Sequence, residues 1–404
     1  MQVDRDLFLE QGFLILRDFI PRDKLDAIRA SAEIMLERQK EIWRRERKPG
    51  DPPGGEWETA QQPRVMMELP GIIDEQTANV VEDFWIDDAT LEVVGQLILG
   101  EPMIHSMMMM CSPPVEDHPG GTGWHRDFSA LRTAPLAALQ ADLIENGPRY
   151  TQWNAPLYDD NVLWIVPGSH RRLNTPEEDA SLRRSTKEPV PGGVAVELRA
   201  GDAAVYSHYL LHWGSNYTTR LRRTLHGGHV TLAKFEDLSF AEGLSRRSRA
   251  TFERWSGQSK ALQEATEAAL RAVIAGDAAA YHAGLETLEP GIGEQGKTLF
   301  TIFLCKAARQ IKILQDSTFE AHDLARSFAG GSHPLTLNWG PGFSKRFTAE
   351  EGEALWRRFA VLDAQLQADE EQDDPGFKRE HTPYLVNTLP ESVHIEAFIA
   401  SWRS

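Results

Sequence analysis

Two histidines and one aspartate in this 404-residue chain have the types and spacing of a metal site. His125 and Asp127 stand two positions apart in the segment Gly-Trp-His-Arg-Asp. Side chains at positions i and i+2 of an extended strand point to the same side, so this imidazole and this carboxylate can reach one ion. An H-x-D triplet also arises by chance, and a surface strand with a hydrogen-bonded histidine is the other interpretation.

A third ligand must come from another strand, and His212 is the residue that we favour. It ends an apolar run that a Gly201-Asp202 turn opens, and it precedes the turn at 214–216. Two imidazoles and one carboxylate form the facial triad of non-haem Fe(II) oxygenases, which leaves positions open for a 2-oxo acid and O₂. His208 is the rival, because it lies four residues earlier on the same side of a strand. A polar residue near the mouth of a barrel is the other interpretation of His208.

A chelating 2-oxo acid also needs a cation for its distal carboxylate, and a planar guanidinium binds a carboxylate through two hydrogen bonds. The segment after His212 offers three candidates, which are Arg220, Arg222 and Arg223. Arg220 and Arg222 share one side of a strand, while Arg223 points to the other side. The residues alone indicate that one arginine of this segment anchors the co-substrate. A solvated sheet edge is the other interpretation.

The elements that would position these residues indicate a mainly β core with flanking helices. Pro21 opens a predicted helix at about 22–47, and the Pro- and Gly-rich residues 48–64 predict a loop. Short apolar runs separated by turn residues then predict a sandwich or barrel, at 104–111, 151–156, 162–166, 194–198 and 203–206. The spacing becomes helical after residue 234. We therefore predict a β core with an N-terminal helix over 1–234 and a mainly helical C-terminal region over 235–404, which is a subdomain or a dimerisation element.

The composition narrows the class of protein. The formal net charge of −17 argues against binding to duplex nucleic acid or to anionic membranes, because both need a positive face. The two cysteines, Cys111 and Cys305, suit a reducing compartment. No basic leader precedes an apolar run at the start, and no apolar run approaches the ~20 residues that span a bilayer. We expect a cytoplasmic protein that acts on a small molecule.

Five short motifs resemble, in their order, the phytanoyl-CoA dioxygenase family. They are G-W-H-R-D (123–127), L-W-I-V-P-G-S-H (163–170), A-G-D (200–202), H-W-G-S-N (212–216) and R-R (222–223). The opening at 7–21 is similar to the start of that family as well. The resemblance implies a double-stranded β-helix (a cupin-like jelly roll) that uses Fe(II), 2-oxoglutarate and O₂. It also implies that His125, Asp127 and His212 are the iron ligands.

The resemblance assigns three further residues. Counting from the H-W-G-S-N motif, it gives Arg222 as the arginine that binds 2-oxoglutarate. Trp153 corresponds to a tryptophan that packs near the co-substrate, and a plain core tryptophan is the other interpretation. Ser215 corresponds to a serine that touches the same carboxylate, although the turn is one residue shorter here. Relatives often carry a lysine that contacts the co-substrate at the position where this chain has Ser112.

Together these features predict an Fe(II)/2-oxoglutarate-dependent dioxygenase. It would hydroxylate, or otherwise oxidise, an unactivated C–H bond of a small organic substrate and release succinate and CO₂. Asp127 favours this over halogenation, because halogenases of the family replace the carboxylate by a small residue. Three alternatives stay open: a jelly-roll metal-dependent hydrolase or isomerase without 2-oxoglutarate, a non-catalytic metal-binding module, and a protein that is mainly an assembly component through its helical C-terminal region. The helical region also raises the prospect of a homodimer.

Overall fold

The computed structural model describes residues 1–113, 122–127, 135–215, 221–231, 237–315, 343–366 and 389–403. The chain divides into two compact units. The first contains residues 1–126, 148–170 and 174–256, and the second contains residues 127–147, 171–173 and 257–404. All strands of the described residues belong to the first unit. No helix among these residues is long and apolar enough to cross a membrane.

The strands of the first unit form two antiparallel sheets. A six-stranded sheet has the order β1-β7-β4-β9-β3-β2, and a three-stranded sheet has the order β6-β5-β8. The strands are β1 (Phe13–Leu16), β2 (Arg64–Met66), β3 (Met103–Cys111), β4 (Tyr150–Pro156), β5 (Leu163–Ile165), β6 (Val194–Ala195), β7 (Ala203–Ser207), β8 (His212–Gly214) and β9 (Arg223–Val230). This is the predicted jelly roll with flanking helices and a helical C-terminal region.

The α-helices of the described residues are α1 (Arg5–Gln11), α2 (Arg22–Glu46), α3 (Glu56–Thr59), α4 (Asp88–Leu97), α5 (Leu136–Asn146), α6 (Pro176–Arg184), α7 (Arg246–Ala275), α8 (Ala278–Leu288), α9 (Glu294–Gln315), α10 (Ala349–Leu366) and α11 (Ile395–Ala400). Local sequence explains several of their ends. Gly12 ends α1 in the left-handed region at φ +88°, which a glycine adopts without strain. Thr175 and Glu178 form a capping box that starts α6.

Both faces of the large sheet are covered. On one face Trp153 and Val205 join the main hydrophobic core, to which Ile28 of α2 also belongs. On the other face Tyr206 of the large sheet packs in one cluster with Ile165 of the small sheet. The space between the two sheets is therefore the interior of the roll, and successive residues of a strand alternate between this interior and the helix-covered face.

The predicted elements agree with the structure except at two places. The helix predicted at 22–47 is α2, and the run predicted at 194–198 is shortened to β6. The segment 48–64, predicted as a loop, contains the short helix α3 and the first residue of β2. The strand β2 was missed because it depends on pairing with β3, which is distant in sequence, while the residues before it are rich in Pro and Gly.

The second unit is built from helices. Helix α9 is buried along most of its length, and Glu145 at the end of α5 accepts a hydrogen bond from Gln295 N in its first turn, at 2.7 Å. On α10, the Asp363 carboxylate accepts a hydrogen bond at 3.1 Å from the buried Arg309 guanidinium of α9. A carboxylate at a helix start and a buried ion pair both fix helices relative to their neighbours.

Candidate metal centre

The structure brings His125, Asp127 and His212 together. Each offers one ligand atom, and these atoms all lie within 4.8 Å of one another. His212 is buried, whereas His125 and Asp127 are partly exposed. Two imidazoles and one carboxylate so close together can hold one transition-metal ion on one face.

The two histidines form a cross-strand pair. The His125 N–H donates to the His212 carbonyl at 2.9 Å, and the His212 N–H donates to the His125 carbonyl at 3.0 Å. Residues that exchange both backbone hydrogen bonds place their side chains on the same side, and the imidazole ring centroids lie 4.4 Å apart. Asp127 follows two positions after His125. The segment around His125 thus extends the small sheet beyond β8 and carries two of the candidate ligands.

Both imidazoles are held in the same tautomer. His125 Nδ1 lies 2.7 Å from the Gly123 carbonyl, and His212 Nδ1 lies 2.8 Å from the Leu210 carbonyl. A carbonyl oxygen only accepts, so Nδ1 is the donor in each contact, and Nε2 is the ring nitrogen that a metal would take. Metal-bound histidines usually donate their second ring N–H to such a partner, which fixes the ring and raises the basicity of the ligand.

The residues beside the ligands anchor the two strands. Trp124 Nε1 donates to the Glu188 carbonyl at 2.8 Å, and Trp213 Nε1 donates to the Thr122 carbonyl at 2.8 Å. Both indoles are buried in one small hydrophobic cluster. Arg126, which is also buried, donates to the Ser169 carbonyl at 2.9 Å. Each strand therefore packs firmly on the side opposite to its ligands.

The other histidines near these motifs lie elsewhere. His208 is not in the group of three; its ring lies 5.0 Å from the ring of Tyr150. His170 of the P-G-S-H motif is fully buried, and its Nε2 lies 3.0 Å from the Leu9 carbonyl. Of the two rivals for the third position, His212 is the one that shares a site with His125 and Asp127.

The two described arginines of the R-R motif point to opposite faces of the large sheet. Arg223 forms a bidentate pair with Glu33 of α2, with distances of 2.7 and 3.0 Å, on the helix-covered face. This pairing raises the pKa of Arg223, although burial alone would lower it. The side chain of Arg222 lies on the other face with Thr224, because both donate to the Asp160 carboxylate. Arg220 lies outside the described residues.

Arg222 is therefore the arginine that faces the interior of the roll. Its side chain is 11% exposed, and its Nε donates to Asp160 Oδ2 at 3.1 Å. Within the described residues no group is hydrogen-bonded to its two Nη groups. The Arg222 N–H donates to the hydroxyl of Ser112 at 2.6 Å, so the residue that replaces the expected lysine supports the backbone of this arginine.

Two buried polar atoms near this arginine are without partners among the described residues. They are the hydroxyl oxygen of Ser215 and the side-chain oxygen of Asn161. The Ser215 N–H donates to the Val162 carbonyl, which places Ser215 beside the segment 160–162 that also contacts Arg222. A buried polar atom without a partner is costly, and a bound ligand is a common reason for it. The Ser215 hydroxyl and the Nη groups of Arg222 can donate and therefore fit a carboxylate ligand, whereas Asn161 Oδ1 only accepts.

Trp153 lies on the helix-covered face. It is fully buried, stacks on Phe19 with a ring separation of 5.5 Å, and donates from Nε1 to His229 Nδ1 at 3.2 Å. Burial lowers the pKa of His229 to about 4, so this histidine is neutral and can accept that hydrogen bond. The placement favours the interpretation of Trp153 as a core residue over contact with a co-substrate.

Sequence reasoning missed the polar residues on the interior face of β4 and β9. His226 Nδ1 lies 2.6 Å from Asn154 Oδ1, and His226 Nε2 lies 3.1 Å from Gln152 Nε2. Gln152 pairs in register with Tyr206, whose ring lies 5.3 Å from that of His212. These residues could have been predicted from the sequence, because Arg222, Thr224 and His226 are spaced two apart and therefore share one face of a strand.

Comparisons with known proteins place the chain in a family. The profile of the phytanoyl-CoA dioxygenase (PhyH) family matches residues 8–224, which is more than half of the chain. No curated protein matches the sequence.

Several solved structures are similar. AviO1 from Streptomyces viridochromogenes Tue57 is 20% identical, with 57% of this chain and 96% of that chain covered and a TM-score of 0.38. HygX from Streptomyces hygroscopicus, with nickel and 2-oxoglutarate bound, is 18% identical, with 58% and 90% covered and a TM-score of 0.40. EctD from S. alaskensis, with 2-oxoglutarate and 5-hydroxyectoine, is 16% identical, with 56% and 75% covered and a TM-score of 0.33.

The assignment depends on the family match, since the structural similarities are distant. The motifs at 123–127, 163–170, 200–202 and 212–216 all fall inside the matched range. The chain therefore belongs to the phytanoyl-CoA dioxygenase family of non-haem iron, 2-oxoglutarate-dependent oxygenases.

Proposed function

We propose that His125, Asp127 and His212 hold the Fe(II) ion, and that Arg222 binds the distal carboxylate of 2-oxoglutarate. The observation that carries the proposal is the convergence within 4.8 Å of one ligand atom from each of the three residues, together with a backbone carbonyl partner for the Nδ1 atom of both histidines. The enzyme then oxidises an unactivated C–H bond of a small organic substrate and releases succinate and CO₂.

The oxidising power belongs to Fe(II), 2-oxoglutarate and O₂ once they are bound. The residues of the chain bind and orient. The cross-strand pair of histidines and the nearby carboxylate would hold the ion from one side. Arg222 offers two Nη groups to a carboxylate, and Ser215 offers a buried hydroxyl.

We propose a substrate with hydrogen-bonding groups. Gln152, Asn154 and His226 line the interior face of the large sheet next to Tyr206, and side chains of this kind bind hydroxyl, amino or amide groups. HygX is also known with hygromycin B bound. For this chain, the polar side chains that line the interior are the observation in favour of a substrate with hydrogen-bonding groups.

Location and assembly belong to the same proposal. Both cysteines are free and buried, which is in keeping with a cytoplasmic protein. Assembly as a homodimer through the region 235–404 stays a prediction, and a light-scattering mass measures it.

The test is a spectroscopic titration without oxygen. The protein is loaded with Fe(II), 2-oxoglutarate is added, and the weak visible charge-transfer band of the chelate is recorded. We expect the band in the wild type and its loss in His212→Ala. His208→Ala is the matched control, because His208 lies four residues earlier on a neighbouring turn, and it should keep the band.

Each outcome decides a different point. Loss of the band in His208→Ala, with retention in His212→Ala, would overturn the ligand assignment. Absence of the band in the wild type, with iron bound by metal analysis, would favour the hydrolase or isomerase alternative. Bound iron and a band without turnover of any substrate would favour a non-catalytic binding module.

A further inference from the structure

The carboxylate of Asp160 lies at the centre of a buried hydrogen-bond group beside Arg222. Its side chain is 5% exposed. Oδ1 accepts from Val162 N at 2.7 Å, while Oδ2 accepts from Thr224 Oγ1 at 2.6 Å and from Arg222 Nε at 3.1 Å. Three donors fix a carboxylate in one orientation, and a fixed carboxylate in turn fixes the guanidinium that it contacts.

This contact determines which edge of the Arg222 guanidinium remains available. A guanidinium has five N–H donors in a planar fork, and Asp160 uses the one on Nε. The two Nη groups face no hydrogen-bonded partner among the described residues. Arg222 therefore presents its terminal edge, the edge that pairs with a carboxylate through two parallel bonds.

The charge of Asp160 does not itself favour the binding of a carboxylate. Arg222 and Asp160 neutralise each other, so the pair attracts an anion less strongly than a lone arginine would. The gain from Asp160 is geometric, because an arginine side chain has rotamer entropy that a fixed partner removes before a ligand binds.

We propose that Asp160 is a positioning residue that holds Arg222 in the orientation required for the distal carboxylate of 2-oxoglutarate, and that Thr224 holds Asp160. This inference rests on the proposed function, in which Arg222 binds that carboxylate. Asp160 itself does not touch the co-substrate.

A purely structural role for the Asp160 side chain makes a different prediction. The loop that carries Asp160 is attached by its backbone, which exchanges hydrogen bonds of 2.9 and 3.0 Å with Leu198. Substitution of the side chain leaves these bonds in place. A structural role would therefore change stability without changing the preference for a ligand with a distal carboxylate.

The test measures the affinity of two probes for the Ni(II)-loaded protein by calorimetry. 2-Oxoglutarate has the distal carboxylate, and 2-oxobutyrate has the same chelating group without it. The variants are Asp160→Ala, Asp160→Asn and Thr224→Val. The matched control is Asp159→Asn, since the exposed Asp159 carboxylate accepts from Ala200 N and does not contact Arg222.

We expect Asp160→Ala to weaken 2-oxoglutarate binding by about tenfold to a hundredfold, the range for one hydrogen bond to a charged group. Asp160→Asn should show a smaller loss, and Thr224→Val a loss of about threefold. Binding of 2-oxobutyrate should not change in any variant, and Asp159→Asn should match the wild type. If Asp160→Ala does not fold by circular dichroism, the other two variants decide the matter.

Two negative outcomes are distinguishable. If the wild type binds both probes equally and Arg222→Met changes neither affinity, the proposed function of Arg222 is wrong. If Arg222→Met loses 2-oxoglutarate selectively while the Asp160 and Thr224 variants keep wild-type affinity, the positioning role of Asp160 is wrong. Equal weakening of both probes would also overturn it.

Discussion

Replacement of Arg222 by methionine should lower both the stability of the protein and its affinity for 2-oxoglutarate, for different reasons. The side chains of Arg222 and Asp160 are 11% and 5% exposed, so their ion pair is buried. Removal of one partner of a buried pair costs about 3–5 kcal/mol, because the other charge stays buried. Asp160 keeps two donors, Val162 N and Thr224 Oγ1, so we expect the lower end of this range.

The double variant Arg222→Met, Asp160→Asn should recover most of that stability, because no uncompensated charge remains. It should not recover co-substrate binding. Two charge-assisted hydrogen bonds from the Nη groups contribute about 3 kcal/mol in total, which corresponds to a roughly 150-fold weaker affinity for 2-oxoglutarate. Urea unfolding measures the first effect, and calorimetric titration of the Ni(II)-loaded protein measures the second.

Arg223→Met is the matched control, since it changes the adjacent arginine on the opposite face. Its partner Glu33 is 46% exposed on its side chain, so we expect a stability loss of about 1 kcal/mol, typical of exposed pairs. The affinity for 2-oxoglutarate should not change. Weaker 2-oxoglutarate binding in Arg223→Met, together with normal binding in Arg222→Met, would refute the reasoning from sheet faces.

Four further predictions concern the ligand set and the core. Asp127→Ala should abolish succinate formation, and full activity in that variant would remove Asp127 from the mechanism. Trp153→Phe should lower the unfolding free energy by about 1 kcal/mol through the lost hydrogen bond to His229, with unchanged 2-oxoglutarate affinity in the same calorimetric assay; a loss of affinity would restore Trp153 to the co-substrate site. Burial lowers the pKa of His229 to about 4, so as the pH falls the unfolded chain protonates this histidine at a higher pH than the folded chain does. The free energy of unfolding should therefore fall by about 3 kcal/mol from pH 6.5 to 4. Burial raises the pKa of Glu68 to about 7, although its carboxylate accepts a hydrogen bond from Met107 N at 2.7 Å, so the charged form costs stability at pH 8. Glu68→Gln should therefore stabilise the protein at pH 8 in urea unfolding, and no gain there would contradict this cost.

Much of the metal centre was predictable because its signals are local. The i, i+2 spacing places His125 and Asp127 on one side of an extended segment wherever that segment lies in the fold. The same alternation separates Arg222 from Arg223, and the contact of Arg223 with Glu33 on the helix-covered face agrees with it. The choice of His212 over His208 needed more, since both are on one side of a strand by spacing. It depends on the cross-strand pair with His125.

The face to which Trp153 points was not predictable from the residues around it. Strand β4 is buried at every position after Tyr150, so apolar and polar residues do not alternate between a wet and a dry side. Gln152 and Asn154 face the interior of the roll, while Trp153 faces the helices. Alternation reveals a face only where one side of a sheet meets water. The division of the chain into domains at residue 234 also stays a prediction. Residues 127–147 belong to the same compact unit as residues 257–404, and spacing in the sequence does not reveal such a grouping.

Asp160 shows most clearly what strand order adds to sequence. It stands 62 residues before Arg222, and nothing in the spacing of the D-D-N segment connects the two. Their contact follows once β4 and β9 are neighbours, because Pro156 pairs with Thr224 and Leu157 N donates to the Arg223 carbonyl at 2.8 Å. The chain that leaves β4 must then pass the start of β9, where Arg222 lies. A carboxylate a few residues after β4 is thereby placed next to Arg222, and the interior polar residues of β4 and β9 are fixed by the register of this one strand pair.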